Sequence, residues 1–239
     1  MTKQELELEA ERERIHRQML SSVSHDLKTP LAAIIGSLEI FGRMREVLTP
    51  EKAQILLDTA LKEAYRLDGF ITNILDMAKL ENAMVRLHLD ICHLSTLLHD
   101  CVEKSGQRLQ GSHITIAPID QKLECKTDAA LLCRAISLLI DNAIKFSPEQ
   151  DSEVRLSAYA QGPRLVIEVS DNGPGIPEDK MEEIFSKYTR IKRQDHQNAG
   201  TGLGLPIARS IAQLLGGNVL AANRPDGGAL FTLYIPLAT

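Results

Sequence analysis

Residues 15–41 read IHRQMLSSVSHDLKTPLAAIIGSLEIF. Ile15, Met19, Val23, Leu27, Leu31, Ile34, Leu38 and Phe41 recur at steps of four and three, the spacing that lines up side chains on one face of an α-helix. The pattern predicts one helix over residues 5–45. Upstream, Glu5 to Arg17 is densely charged, with Leu6 and Leu8 as its sparse apolar positions, and reads as the end of a coiled-coil linker. Pro30 interrupts the stripe. A proline inside a helix costs about 3 kcal/mol and kinks it, so its presence asks for a local gain.

Outward from this helix, Thr49-Pro50-Glu51 forms a start signal: a capping hydroxyl, a proline at the first helical position and an acid in the first turn. A second helix follows to about Asn82, with Leu57, Leu61, Ala64, Leu67, Ile71, Ile74 and Ala78 as its stripe. Two amphipathic helices make a hairpin with one apolar seam, and a lone hairpin leaves much of that seam wet. Two hairpins in a four-helix bundle would bury it, which predicts a homodimer.

The chain has 239 residues, enough for two small domains. Its 44% apolar and 25% charged composition suits a water-facing globular fold. The net charge of −5 argues against a nucleic-acid partner, which would call for a basic excess. No apolar run approaches the roughly 20 residues of a membrane span, and the charged segment Thr2 to Gln18 is no signal peptide. Cys92, Cys101, Cys125 and Cys133 form no CxxC pair and read as reduced thiols. Cys92, His93, His99 and Cys101 cluster in sequence, at a spacing that fits no common zinc finger.

Beyond residue 90 the pattern mixes strands and helices. Ile114–Ala117, Val154–Tyr159, Leu165–Val169, Gly217–Ala222 and Ala229–Ile235 read as strands. Gln161-Gly162-Pro163 and Pro225-Asp226-Gly227-Gly228 sit where hairpin turns belong. Helices are predicted at Ser95–Glu103, Asp128–Lys145, Glu178–Phe185 and Leu203–Leu215. The fold class expected is α+β: a helical hairpin followed by an α/β sandwich. Residues 189–200 are hydrophilic and lack any period.

Four segments carry chemistry. His25 sits two residues from Val23 and Leu27, so it faces away from the stripe, and Thr29 lies one turn further on that face. A neutral imidazole is a competent nucleophile at pH 7, and Asp26 is a carboxylate able to take its other ring proton; an exposed histidine beside an aspartate is the bland alternative. Asp171-Asn172-Gly173-Pro174-Gly175-Ile176-Pro177 follows a strand and is stiff enough for a ligand to approach closely, or is simply a turn. Gly200-Thr201-Gly202-Leu203-Gly204-Leu205 opens a helix whose amides can bind phosphate, or is a hinge; with no strand before it and no GK[ST], it is neither a Rossmann fingerprint nor a P-loop. Asp141-Asn142-Ala143-Ile144-Lys145-Phe146 puts an amide and an ammonium at the end of an apolar helix, where they would hold magnesium and phosphate or remain a solvated end.

Taken in order, these segments resemble the transmitter module of sensor histidine kinases, over about residues 15–239. SHDLKTP resembles the H box, LLIDNAIKFSP the N box, DNGPGIP the first glycine box, IFSKYTR the F box and GTGLGL the second glycine box. Gly216-Gly217 through Asn223 to Gly228 look closest to KdpD-type kinases. The resemblance implies a linker helix over 1–18, a dimerisation and phosphoacceptor domain over 19–88, and a Bergerat-type ATP-binding domain over 89–239.

By the same resemblance, ATP and Mg²⁺ are the cofactors, and His25 receives the γ-phosphoryl group. A response regulator aspartate takes it next, and Thr29 orients water when the kinase dephosphorylates that partner. Asn142 holds Mg²⁺, Lys145 and Arg190 contact phosphates, and Phe146 packs by the adenine. Asp171 accepts from the adenine amine, with Gly173 and Gly175 giving room. Gly200, Gly202 and Gly204 wrap the phosphates with Leu203 among them, and residues 189–200 form a lid. The location implied is the cytoplasm, or the cytoplasmic part of an inner-membrane protein. One position departs from the family pattern: Leu138 stands where many members carry a second asparagine, and where gyrase- and Hsp90-like ATPases carry a glutamate. Leucine cannot activate water, which disfavours an ATPase of that kind. A catalytically silent dimeric scaffold is the other alternative.

Overall fold

The computed structural model describes residues 3–82, 84–106, 112–148, 150–187 and 202–237; their side chains are described from Val23 onward, those of His25, Lys104 and Ser112 excepted. The chain divides into two compact units, Met1–Leu75 and Asp76–Thr239.

The first unit contains helix α1, Lys3–Met44, and most of helix α2, Pro50–Glu81. α1 continues through Pro30, which is buried. The Met44 carbonyl ends α1 by accepting the N–H groups of Val47 and Leu48, each at 2.9 Å. α2 begins at the expected proline. Thr49 Oγ1 accepts the Lys52 N–H at 3.4 Å, and backbone and hydroxyl donors hold the Glu51 carboxyl below its usual range.

In the single chain much of the expected seam is exposed, as a lone hairpin leaves it. Among the described side chains of this unit, Pro30, Ser37, Ala60 and Phe70 are the buried positions, whereas Leu31, Leu38, Leu57, Leu61 and Ile71 are exposed. Both helices are apolar on more than one face. On α2, Ala60, Leu67, Phe70 and Ile74 form one row and Leu57, Leu61 and Ile71 the row beside it. Hydropathy alone does not choose between adjacent rows; packing does.

The second unit is an α/β sandwich. β2 (Ser112–Ile116), β4 (Ser152–Gln161), β5 (Arg164–Asp171), β7 (Ala229–Pro236) and β6 (Asn218–Asn223) form one sheet in that spatial order. β2 and β4 are parallel and the remaining neighbours antiparallel. The hairpins turn at Gly162 and at Gly227-Gly228, all with positive φ. Alternation on β4 and β7 buries Val154, Leu156, Phe231, Leu233 and Ile235, and helices α4 (Ala129–Phe146) and α5 (Gly204–Leu214) pack on that sheet and on one another. Each fully buried leucine or isoleucine of this layer stabilises it by roughly 1.5–3 kcal/mol. Asp128 begins α4 with both oxygens: Oδ1 accepts the Leu131 N–H at 3.1 Å and Oδ2 the His88 N–H at 2.9 Å.

Two local expectations are corrected. Residues 178–185 form two 3₁₀ turns, Glu178–Lys180 and Glu183–Phe185, rather than a helix. Only Ile184 and Phe185 are buried there, so there is no apolar stripe to stabilise successive helical turns. β1 (Asp90–His93) and β3 (Glu124–Thr127) pair antiparallel in a separate two-stranded sheet. Helix α3 (Leu94–Gly106) packs against α4. Among the described residues no helix is long and apolar enough to cross a membrane.

Candidate functional site

Asp171 is the last residue of β5 and is 2% exposed. Its Oδ1 accepts two backbone N–H groups, from Gly173 at 2.8 Å and Ala229 at 3.0 Å. Burial pushes the carboxyl pKa up, opposed by those two N–H groups and by the nearby Arg224 charge. The Arg224 guanidinium also donates to the Asp171 carbonyl at 2.9 Å. The acid is thus fixed in orientation from β7 on one side and from its own loop on the other.

The loop that follows is clamped at both ends. Asn172 Oδ1 accepts the Glu153 N–H at 3.0 Å, and its Nδ2 donates to the Asp151 carbonyl at 2.7 Å. Asn223, at the end of β6, makes two bonds to the backbone of Ile176. Glycine is required where backbones meet. A Cβ on Gly173 would stand 2.5 Å from the Phe146 carbonyl oxygen, so the loop touches the end of α4. A Cβ on Gly228 would stand 1.9 Å from the Asp171 carbonyl oxygen, and its φ of +90° also excludes most side chains.

α4 delivers Asn142, Lys145 and Phe146 to that same end of the sandwich. Asn142 and Lys145 are half-buried, Phe146 is exposed, and Lys145 Nζ lies 4.6 Å from the centre of the Phe146 ring. Leu138, one turn before Asn142, is buried and packs at the start of α5: its Cδ2 lies 3.8 Å from the place a Cβ on Gly204 would take. Its role is therefore packing between the two helices. α5 starts at Gly204 after the fully buried Leu203, with no side-chain cap on its first amides, and Gly202 has φ +67°. Gly175 has φ +71°, with Asn223 beside it. Arg190, Gly200 and the whole of the expected lid, residues 189–200, lie outside the described residues.

The F-box phenylalanine is anchored by a residue the motifs do not include. The guanidinium of Arg209, on α5, lies 3.4 Å from the centre of the Phe185 ring. It donates twice to the Val219 carbonyl, at 3.1 and 2.9 Å, and pairs with Glu182 at 2.8 Å. That pairing holds the Glu182 carboxyl below its usual range. Asn223 and Arg224 were legible only as part of a turn and a family signature; nothing local shows that they reach back to residues 171–176. Among the acceptor-segment residues, Asp26 is half-buried and Thr29 exposed, while the His25 side chain lies outside the described residues.

Residues 127–239 match the family model of histidine kinase-, DNA gyrase B- and HSP90-like ATPases, and residues 15–83 match the His Kinase A phospho-acceptor domain. The chain belongs to the sensor histidine kinases, of which it forms a transmitter module. It is 31% identical over 96% of its length to sensor protein KdpD of Clostridium acetobutylicum, and 31% identical over its whole length to that of Escherichia coli. It spans about a quarter of the length of these relatives, 25% and 26%. Among solved structures, histidine kinase AdeS of Acinetobacter baumannii matches 90% of this chain and 98% of its own, with TM-score 0.65 and 20% identity. ShkA in complex with AMPPNP matches 93% of this chain and 46% of its own, with TM-score 0.63 and 27% identity.

Proposed function

We propose that this chain binds Mg-ATP at the Asp171 end of the sandwich, phosphorylates His25, and hands the phosphoryl group to an aspartate of a response regulator. The observation that carries the reading is the setting of Asp171. Its Oδ1 is occupied by two backbone donors, which leaves Oδ2 to accept the exocyclic amine of adenine. Gly173 and Gly228 let the neighbouring backbones close around that carboxyl, and the exposed Phe146 ends the helix that Gly173 touches. The ShkA structure, crystallised with AMPPNP, supports a nucleotide in this fold.

Phosphates are assigned to the amides opening α5 and to Lys145 and Arg190, with Gly200, Gly202, Leu203 and Gly204 around them. Asn142 would hold Mg²⁺ through one neutral amide oxygen, the apolar Leu138 would add no ligand, and the ion would supply charge neutralisation at the phosphates. In the transfer itself an imidazole nitrogen of His25 attacks the γ-phosphorus in line, the bond to the ADP oxygen breaks, and Asp26 takes the other ring proton. A gyrase- or Hsp90-like ATPase would need a carboxylate at position 138. A silent scaffold is the alternative that Leu138 favours, since an apolar side chain offers a metal no ligand.

The partner copy of this chain is proposed from the exposed apolar rows of the hairpin. Leu31, Ile35 and Leu38 on α1 and Leu57, Leu61 and Ile71 on α2 are each 39–54% exposed in the single chain, and a homodimeric four-helix bundle would cover them. The decisive experiment is incubation with γ-labelled Mg-ATP. Acid-labile, alkali-stable label is expected on the chain and absent from His25→Gln. No label on the native chain would favour the scaffold, and label surviving in His25→Gln would remove His25 from the mechanism.

A further inference from the structure

Two of the four cysteines meet in the core between α3 and α4. Cys101 is fully buried and Cys133 is 6% exposed. Their Sγ atoms lie 2.6 Å apart although the residues are 32 positions apart in sequence, and both are thiols. A disulfide requires about 2.05 Å, so the two sulfurs need only a small approach to bond. A second, independent feature gives access. A cleft of about 480 Å³ is lined by Leu97, Asp100, Ser105, Cys133 and Arg134 among others. Asp100 and Ala130, also in its lining, are exposed, so the cleft reaches solvent. Ser105 is 4% exposed, and its hydroxyl has no hydrogen-bond partner among the described residues.

We propose that Cys101 and Cys133 form a peroxide-oxidisable dithiol, with Cys133 the sulfur that meets the oxidant and Cys101 the one that resolves it. The oxidant class is a small hydroperoxide. The Cys133 sulfur attacks one peroxide oxygen as its thiol proton is lost, the O–O bond breaks, and the leaving oxygen takes up a proton and departs as alcohol or water. Cys101 then attacks the Cys133 sulfenic sulfur, the S–S bond forms, the S–O bond breaks, and water leaves. In sum, two thiols and one hydroperoxide give one disulfide, one alcohol or water, and one further water. Because the sulfurs already touch, the bond leaves α4 and its Asn142 in place. It acts as a clamp between α3 and α4 and leaves nucleotide binding intact.

The test uses the full chain treated with hydrogen peroxide, then alkylated, digested and mapped by mass. The expected result is one cross-linked peptide pair containing Cys101 and Cys133, reversed by dithiothreitol. In Cys101→Ser, Cys133 should accumulate as a dimedone-reactive sulfenic acid, whereas in Cys133→Ser the Cys101 thiol should persist. The oxidised native chain should melt roughly 5 °C higher than the reduced one, with AMPPNP affinity unchanged within about twofold. The proposal is overturned if both thiols survive while the half-buried Cys92 is modified, or if Cys101 pairs elsewhere. The competing pair is Cys92 with Cys125, which stand opposite one another in the β1–β3 register. Mapping the native chain needs no variant, so a misfolded substitution would not rescue the idea.

Discussion

Asn223 holds both polar backbone groups of Ile176: its Oδ1 accepts the N–H at 2.7 Å and its Nδ2 donates to the C=O at 2.8 Å. Forty-seven residues separate them in sequence, so the glycine-box loop is shaped by the far edge of the sheet. Asn223→Asp keeps the acceptor and loses the donor, setting a carboxylate against a carbonyl. Losing such a bond costs about 1–2 kcal/mol. Calorimetric titration with AMPPNP should show affinity about tenfold weaker; unchanged affinity would mean that the loop holds its shape without Asn223.

Asp171 should set stability and binding against each other. Burial raises its folded pKa above the ordinary 3.8, so the charged form is penalised in the fold. That penalty is fully present above the folded pKa, fades as pH falls through it, and is gone below the ordinary value. Asp171→Asn keeps an oxygen for Gly173 and Ala229 and removes the charge. The variant should match or exceed the native chain in urea stability at pH 7, with the advantage shrinking on acidification. Its AMPPNP binding should be lost. A variant that binds normally would displace Asp171 from the adenine site.

Arg209→Lys isolates geometry from charge. Lysine can still pair with Glu182, but it cannot stack flat on Phe185 while donating twice to the Val219 carbonyl. Urea midpoints should report a loss of about 1.5–3 kcal/mol. Glu182→Gln should change little, because Glu182 is exposed and water screens the pair. Equal losses in the two variants would assign the anchoring to the ion pair.

Thr29 is exposed on α1, four residues after His25. Thr29→Ala should leave autophosphorylation at its native rate and slow the removal of phosphate from a labelled receiver domain by tenfold or more. The measurement is the decay of receiver label in the presence of ADP. Equal loss of both activities would make Thr29 a structural residue.

Much of this architecture is written locally. The helix through residues 15–41, the Thr49-Pro50 start and the two glycine turns each follow from neighbours within a few positions, and each appears in the fold. What local patterns could not show is of two kinds. Which apolar row of the hairpin turns inward within one chain is not written in hydropathy, because Leu57 and Leu61 are as apolar as the row of Ala60 and Phe70 beside them. Strands β1 and β3 escaped notice because DICH and ECKT are four residues each and find one another across some thirty residues. The loop-holding residues belong to the same class. Asn223, Arg224 and Arg209 are ordinary polar residues until the sheet closes and brings them to Ile176, Asp171 and Phe185.

Leu138 ends as more than a missing asparagine. Seated between the helix that carries Asn142 and Lys145 and the helix that opens at Gly204, it ties together the two walls proposed for metal and phosphate. A ligand arriving there need not align two independent walls. Ordering these two helices against one another then takes little of the binding free energy, so packing at this position serves preorganisation where a polar residue would serve ligation.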